Sequence, residues 1–206
     1  MRYPQLKLFH NPQSRSAGVR ILLEELAIPA EFELVDFKAP QKSPALMAAN
    51  PLGKVPTLIA DGAVVTEQVA IYQFLAELKP DAGLSPAVGD ALRGPYLRAL
   101  AFYGSSFEPA MIDKALKRDS GQPGMSPYGN QLAVEQWVRS QLQAGTWFLG
   151  DRFTAVDCLW GTALGWMTRF GLIEATAEIA AYLERFAARP AVQRARALDQ
   201  ALLAGK

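Results

Sequence analysis

Two serines near the start of the chain could stabilise an anion. They lie in the segment Pro12-Gln13-Ser14-Arg15-Ser16, between the alternating run Leu6 to His10 and the first helical pattern. A hydroxyl donor beside the positive end of a helix dipole favours a negatively charged group, as the activation of a thiol requires. Ser14 and Ser16 could instead only cap the helix, and the residues alone leave both interpretations open.

A second pair of polar side chains, Glu67 and Gln68, precedes another helical pattern. Exposed N–H groups at a helix start favour a carboxylate, while the Glu67 side chain could hold an ammonium group. Together these groups would suit a zwitterionic ligand. The alternative is that Glu67 and Gln68 only cap the helix.

The composition argues against several other chemistries. One cysteine, Cys158, excludes an intramolecular disulfide and a CxxC redox pair, and one histidine, His10, leaves no His/Cys cluster for a metal. The formal net charge of +1 gives no reason to expect a nucleic acid or an anionic membrane as partner. The sequence shows no signal-peptide pattern and no apolar stretch of ~20 residues. We therefore expect a cytoplasmic protein that acts on a small molecule without a metal.

The elements that must position these residues begin with a mixed strand and helix pattern. The strand patterns Leu6 to His10 and Glu31 to Phe37 enclose a helical stripe from Val19 to Leu26, which Pro29 ends. This arrangement predicts one βαβ unit.

A brief helix, a hairpin and a longer helix follow. Ala45 to Ala49 predicts the brief helix, and the runs Val55 to Ile59 and Ala63 to Thr66 flank the turn Asp61-Gly62, which is typical of a β-hairpin. The next apolar helical stripe begins at Ile71.

A segment with two prolines and a glycine separates this α/β part from the rest. We predict a front domain at 1–79, a linker at 80–87 and an all-helical domain at 88–206, because every later pattern has the helical period. The predicted fold class is therefore an α/β domain followed by an all-α helical bundle.

The order of these elements resembles that of the glutathione S-transferases, in which a thioredoxin-like βαβ-ββα domain precedes a helical bundle. The stretch Asn50-Pro51-Leu52-Gly53-Lys54-Val55-Pro56-Thr57-Leu58 is similar to the family's NPxGxVPxL segment. In that family the Val-Pro bond is cis. The resemblance implies a cis bond between Val55 and Pro56 and a backbone edge at Val55 that pairs with glutathione.

The same resemblance extends to the helix that begins near Glu67. The stretch Thr66-Glu67-Gln68-Val69-Ala70-Ile71 is similar to the family's ESxAI segment, with Gln68 in place of the usual serine. It implies that Glu67 and Gln68 bind the zwitterionic γ-glutamyl end of glutathione.

A basic segment resembles the family's HKxP motif, found in plant-type and some bacterial members. Gln41-Lys42-Ser43-Pro44 carries this similarity. The resemblance implies that Lys42 and Lys54 supply positive charge to the glycyl carboxylate of glutathione, with Gln41 as a neutral donor in place of the histidine.

The family's first loop carries the group that activates the glutathione thiol. Ser14 is similar to the serine of the PxS pattern of serine-type members and is our favoured candidate. An alternative match to the cysteine-type bacterial members would place Arg15 at the nucleophile position, where its charge could stabilise a thiolate. Ser16 or Asn11 could also donate a hydrogen bond.

The helical domain of the family accepts the second substrate, a small hydrophobic electrophile. Phe102, Tyr103 and Ser106 are candidate lining residues, together with Asn11 and Arg15 of the first loop, although core packing would explain the aromatic side chains equally well.

Another motif of the helical domain is predicted to serve folding. The segment Phe153-Thr154-Ala155-Val156-Asp157 is similar to the family's FTxAD segment, with Thr154 and Asp157 forming a capping box.

The resemblance implies a cytoplasmic, homodimeric, detoxifying transferase that conjugates the glutathione thiolate to a small hydrophobic electrophile. Glutathione would be the co-substrate, and no metal is expected. Two alternatives remain: a glutathione-dependent reductase or isomerase, and a binding or interaction protein of the same fold without catalytic activity.

Overall fold

The computed structural model describes residues 3–205 of the chain. These residues divide into two compact units, one formed by 3–82 together with 188–205 and the other by 83–187.

The first unit is built around a mixed four-stranded sheet in the order β2-β1-β3-β4. Its elements are β1 (Leu6–His10), α1 (Ser16–Leu26), β2 (Glu31–Leu34), α2 (Pro44–Ala49), β3 (Thr57–Ala60), β4 (Ala63–Thr66), α3 (Gln68–Leu78) and α9 (Pro190–Ala204). β1 pairs in parallel with β2 and antiparallel with β3, and β3 pairs antiparallel with β4. This topology confirms the predicted thioredoxin-like βαβ-ββα fold.

β1 is a central strand with both faces buried. Leu8 and Phe9 point to opposite faces and are 0% and 1% exposed. Phe9 packs with Val35 and with Leu46, which fixes α2 to the sheet. α1 packs against α3 and α9. A strand buried on both sides gives the loop that follows it a rigid base.

Two strands are shorter than the sequence pattern predicts. β2 ends at Leu34 rather than at Phe37, although Val35 still donates its N–H to the carbonyl of His10 at 2.8 Å. β3 begins at Thr57 rather than at Val55, since the preceding residues form a loop.

The last helix differs from the predicted domain division. The sequence pattern assigned 188–206 to the helical domain, but in the structure α9 groups with the sheet. Arg189 donates to both carboxylate oxygens of Glu25, and Arg194 pairs with Glu24 at 3.1 Å, so α9 is bound to α1. Helical periodicity shows which face of α9 is apolar but not which unit that face contacts.

The second unit is helical, as predicted. It contains α4 (Arg93–Phe102), α5 (Glu108–Leu116), α6 (Gln131–Gln143), α7 (Ala155–Arg169) and α8 (Ala177–Ala187). A π-helical turn at Tyr103–Phe107 joins α4 to α5, a feature that the sequence pattern did not predict. Its core is aromatic: Trp160 is fully buried, with ring centroids 4.6 Å from Phe107 and 4.5 Å from Phe148.

The predicted capping box begins α7. The N–H of Thr154 donates to Asp157 Oδ2 at 2.9 Å, and the reciprocal capping contact is present. The N–H of Phe148 and the hydroxyl of Tyr182 donate to Asp157 Oδ1 at 2.8 Å and 3.2 Å. Asp157 therefore ties together the loop before α7, the helix itself and α8.

No helix within residues 3–205 is both long enough and apolar enough to cross a membrane.

Candidate functional site

Three of the predicted binding segments leave the sheet at the same end of its strands. In the sheet register, Phe9 near the end of β1 pairs with Thr57 at the start of β3, and β4 ends opposite the same residue. The loop after β1, the loop before β3 and the first residue after β4 therefore emerge together. They carry Ser14, Val55 and Glu67, respectively.

The side chain of Asn50 organises the loop before β3. Its Nδ2 donates to the carbonyl of Lys54 at 3.2 Å and to Thr57 Oγ1 at 3.0 Å, and its Oδ1 accepts from the N–H of Leu52 at 3.1 Å. Asn50 is 6% exposed, so these bonds are largely shielded from water. From the sequence we identified Asn50 only as part of a motif, and we did not predict this role.

The Val55-Pro56 peptide bond is cis, as predicted. Within the described part of the chain, neither the N–H nor the C=O of Val55 has a hydrogen-bond partner. Val55 is half-buried and precedes β3 directly. Its two main-chain groups can therefore pair with an extended ligand in the manner of an added strand.

Lys42 lies against the same loop. Its Nζ is 3.4 Å from the carbonyl of Leu52, and a Cβ on Gly53 would lie 2.5 Å from Lys42 Cδ. Gly53 also has a φ of 59°, in the region that favours glycine. The side chains of Gln41 and Lys54 are exposed. Lysines 42 and 54 thus make this side of the loop basic.

Glu67 and Gln68 occupy the start of α3. Glu67 has φ 67° and ψ 126°, an unusual conformation for a residue with a side chain, and it makes no side-chain capping bond. The Glu67 side chain is exposed. The side-chain oxygen of Gln68 is buried and has no hydrogen-bond partner among residues 3–205. The capping interpretation of Glu67 therefore has no hydrogen bond to support it.

Ser14 and Ser16 lie in a buried hydrogen-bond network. Ser14 Oγ is 2.7 Å from Ser16 Oγ and 2.8 Å from the carbonyl of Asn11, and it accepts from the N–H of Ser16 at 3.1 Å. Ser14 is 7% exposed and Ser16 is fully buried. The hydroxyl proton of Ser14, our favoured activating group, therefore has two acceptors inside the protein.

The other two candidates in this loop differ from each other. Asn11 Nδ2 donates to the carbonyl of Val35 at 2.7 Å, and its Oδ1 accepts from the N–H of Gln13 at 2.8 Å, so this side chain holds the loop. Arg15 is exposed and is the N-cap residue of α1. Its charge lies at the positive end of that helix, where an anion would bind.

The structure also reveals polar residues that we did not identify from the sequence. His10 Nδ1 is 2.8 Å from Ser16 Oγ, and His10 Nε2 is 2.9 Å from Asp199 Oδ1 on α9. Arg20 Nη1 is 2.9 Å from the same oxygen. His10 follows Leu6 and Leu8 on one face of β1, which could have indicated burial. No local pattern links it to Asp199, 189 residues away.

Phe102, Tyr103 and Ser106 belong to the second unit and have structural contacts there. The Phe102 ring lies tilted by 41° against the Trp137 ring with centroids 3.9 Å apart, and Tyr103 is 2% exposed. Ser106 Oγ donates to the carbonyl of Pro127 at 3.2 Å. The structure thus shows packing and hydrogen-bond contacts for these side chains within their unit, and their role in lining an electrophile pocket stays a prediction.

Replacing Asn50 with alanine should distort the loop before β3. The buried Thr57 Oγ1 would lose the donor Asn50 Nδ2 but keep its own bond to the carbonyl of Lys54, and the N–H of the exposed Leu52 would lose its acceptor. The expected cost is about 1–3 kcal/mol in total. We expect lower stability in urea unfolding and weaker ligand binding at Val55. Replacement of the exposed Gln41 with alanine should leave the free energy of unfolding within about 0.5 kcal/mol of the parent.

In the range 3–205, no group of three or more His, Cys, Asp and Glu residues is placed to hold a metal ion. The chemistry that the first unit does offer is a pairing backbone edge, lysine charge, a carboxylate and a helix start with buried hydroxyl groups.

Comparison with protein families matches residues 4–77 to the N-terminal domain of glutathione S-transferase and residues 132–190 to its C-terminal domain. The chain is 31% identical over 193 residues to glutathione S-transferase GstA of Escherichia coli O157:H7, covering 91% of this chain and 96% of the relative. It is also 31% identical over 153 residues to a probable maleylacetoacetate isomerase of Caenorhabditis elegans, with 70% of each chain covered.

Solved structures show the same similarity. A glutathione transferase from Methylococcus capsulatus str. Bath superposes with a TM-score of 0.80 at 33% identity, covering 95% of this chain and 98% of that one. A sphingomonad glutathione S-transferase complexed with glutathione gives a TM-score of 0.79 at 29% identity, covering 94% and 98%.

Proposed function

This chain belongs to the glutathione S-transferase family of enzymes, and on that premise we propose that it conjugates the glutathione thiolate to a small hydrophobic electrophile. Glutathione is the co-substrate, and the enzyme acts in the cytoplasm as a homodimer. The observation that carries the proposal is the pair of main-chain groups at Val55, which has no partner within the described residues and lies at the same end of the sheet strands as Glu67.

Glutathione has a charged group at each end and a peptide backbone between them. Its cysteinyl main chain pairs with the N–H and C=O of Val55. At the γ-glutamyl end, Glu67 binds the ammonium group, and Gln68 with the first N–H groups of α3 binds the carboxylate. Lys42 and Lys54, with Gln41 beside them, attract the glycyl carboxylate.

The thiol then points to the loop between β1 and α1. A thiol with pKa ~8.5 is mostly protonated at neutral pH, and lowering its pKa by two units takes about 2.7 kcal/mol of preferential interaction with the thiolate. Ser14 supplies a hydroxyl donor, while the start of α1 and the Arg15 guanidinium supply positive charge. The thiolate attacks an electrophile bound beside it, and the proximity of the two bound reactants contributes the rest of the rate acceleration.

Retention on immobilised glutathione, isothermal titration with free glutathione and conjugation of a model aryl halide test this function. We expect binding at millimolar glutathione or below and thiolate-dependent conjugation. Absence of binding at millimolar glutathione would refute the proposal. Binding without conjugation of any electrophile in a panel would support the non-catalytic alternative. Light scattering of the purified protein tests the homodimer.

Isomerisation is the second candidate, because one relative is named a probable maleylacetoacetate isomerase. A thiolate that adds to an activated double bond and then leaves permits rotation about that bond, so the same site would support the reaction. Turnover of a cis-diacid substrate with no net consumption of glutathione would distinguish isomerisation from conjugation.

A further inference from the structure

A continuous chain of short hydrogen bonds runs from Ser14 to the C-terminal helix. The distances are 2.7 Å from Ser14 Oγ to Ser16 Oγ, 2.8 Å from Ser16 Oγ to His10 Nδ1, and 2.9 Å from His10 Nε2 to Asp199 Oδ1. Ser16 and His10 are fully buried, and Ser14 and Asp199 are 7% and 9% exposed. All four residues belong to the first unit.

The charge of Asp199, at one end of this row of hydrogen bonds, fixes the direction in which each of them is donated. Asp199 Oδ1 also faces Arg20 Nη1 at 2.9 Å, so the carboxylate is ionised and acts as an acceptor. His10 Nε2 therefore carries a proton. With a neutral imidazole, Nδ1 is an acceptor, so Ser16 donates to it at 2.8 Å rather than to the carbonyl of Asn11 at 3.1 Å. Ser16 Oγ then accepts from Ser14, as well as from the N–H of Asn11 at 3.0 Å.

Asp199 and Arg20 form a charge pair beside His10. Asp199 reaches the ring from α9, and Arg20 of α1 contacts the same carboxylate oxygen. On the β2 side, the Phe32 ring meets the imidazole edge-on at 5.5 Å. The carboxylate in direct contact with Nε2 is the group that would stabilise an imidazolium at this position.

We propose that Ser14 and Ser16 relay the proton of the glutathione thiol to His10. In this step the thiol gives its proton to Ser14 Oγ, Ser14 gives its own proton to Ser16 Oγ, and Ser16 gives its proton to His10 Nδ1. The products are a thiolate and an imidazolium paired with Asp199, so charge and protons balance. The hydrogen bonds from Ser14 to Ser16 and from Ser16 to His10 have then reversed, while His10 Nε2 still donates to Asp199, and Ser14 donates to the thiolate.

The relay explains how Ser14 can activate a thiol although its proton has acceptors inside the protein. Ser14 is the catalytic residue, because it contacts the reacting sulfur, while Ser16, His10 and Asp199 are positioning residues behind it. The inference rests on the proposed function, since it requires glutathione to bind with its thiol at Ser14.

His10 is the only histidine of the chain, so its imidazole ¹⁵N resonances can be assigned directly in the intact protein. Near neutral pH we expect added glutathione to convert His10 from the neutral to the imidazolium form, in parallel with ultraviolet absorbance of the bound thiolate. A thiolate signal with a His10 that stays neutral would overturn the relay. A wild-type protein that does not bind glutathione would overturn both this inference and the proposed function.

Variants give a second measurement. His10→Gln cannot take up the proton, and Asp199→Asn removes the charge that stabilises the imidazolium. In each we expect the pKa of the bound thiol to rise by at least one unit, with a tenfold or greater loss of kcat/KM near neutral pH that is recovered at high pH.

Glu25→Gln is the matched control, because it weakens the contact of α9 with α1 through Arg189 but leaves the relay intact. It should keep the parent pKa. If His10→Gln does not fold, Asp199→Asn decides alone. A bound-thiol pKa equal to that of the parent in a folded variant would overturn the proposal, as would a loss of activity that is equal at all pH values.

Discussion

Replacing Asp157 with alanine is expected to destabilise the helical unit by on the order of 3–5 kcal/mol. The change leaves the N–H groups of Phe148 and Thr154 without their acceptor, and it removes one of the two acceptors of the Tyr182 hydroxyl, which keeps the main-chain carbonyl of residue 157 at 3.3 Å. Asp157 is fully buried, and each unsatisfied buried donor costs about 1–3 kcal/mol. Urea unfolding followed by tryptophan fluorescence would measure the loss, since Trp160 lies in the same unit.

Asp151→Ala is the control for this variant. Asp151 is also an aspartate that accepts side-chain and main-chain bonds, both from Thr146, but it is exposed. Its replacement should change the free energy of unfolding by less than about 1 kcal/mol. Equal losses in the two variants would contradict the assignment of Asp157 as the buried link between the loop before α7 and α8.

The stability contributed by Asp157 should also depend on pH. Burial raises the pKa of Asp157 from 3.8 to about 6, although the donors from Phe148, Thr154 and Tyr182 act in the opposite direction. The native state therefore binds a proton more tightly than the unfolded chain does. The contribution of this pKa shift to stability is fully present below pH 3.8 and is lost as the pH rises through about 6, while the hydrogen bonds that the side chain accepts remain.

The measurement is the difference in free energy of unfolding between the parent and Asp157→Asn, which has no titrating group at this position. One pKa unit corresponds to about 1.4 kcal/mol, so the parent's advantage should shrink by about 1 kcal/mol between pH 5 and 7.5. An advantage that grows with pH would show that the folded-state pKa is lowered rather than raised.

Local sequence patterns predicted the elements of this protein better than their assembly. The Asp61-Gly62 turn correctly predicted the hairpin, and the spacing from Val19 to Leu26 correctly predicted α1, because both patterns depend on neighbours along the chain. The π turn at Tyr103–Phe107 and the assignment of α9 to the sheet unit were not predicted. The position of α9 depends on contacts with α1, which is distant in sequence, and periodicity does not encode such contacts. The sequence pattern offers no explanation of the π turn.

The candidate site likewise contains one feature that a local motif predicts and others that depend on residues distant in sequence. The cis bond at Val55-Pro56 could be predicted because a contiguous motif specifies it. The hydrogen-bond network behind Ser14 could not, because it continues through Ser16 and His10 to Asp199, which lies near the other end of the sequence. A lone histidine at the end of a strand also fits a surface position or a buried contact equally well until its neighbours are known.

Replacing Glu67 with glutamine should weaken glutathione binding about 10- to 100-fold. The change removes the negative charge that we assign to the ammonium group of glutathione, and hydrogen bonds to charged groups contribute about 1.5–3 kcal/mol. Isothermal titration would measure the affinity. Glu31→Gln is the matched control, because Glu31 is an exposed carboxylate paired with Lys7 at the opposite end of the sheet. Its affinity for glutathione should equal that of the parent.

Glu67→Gly separates binding from folding at the same position. Glu67 is held at φ 67° and ψ 126°, where a side chain costs about 1–3 kcal/mol and glycine costs less. We therefore expect a thermal midpoint no lower than that of the parent, together with the same loss of glutathione affinity as in Glu67→Gln. If Glu67 served only to cap α3, Glu67→Gly would lower both the thermal midpoint and the affinity for glutathione. A loss of glutathione affinity without a loss of thermal stability would mean that the strained conformation presents the Glu67 carboxylate to the ligand.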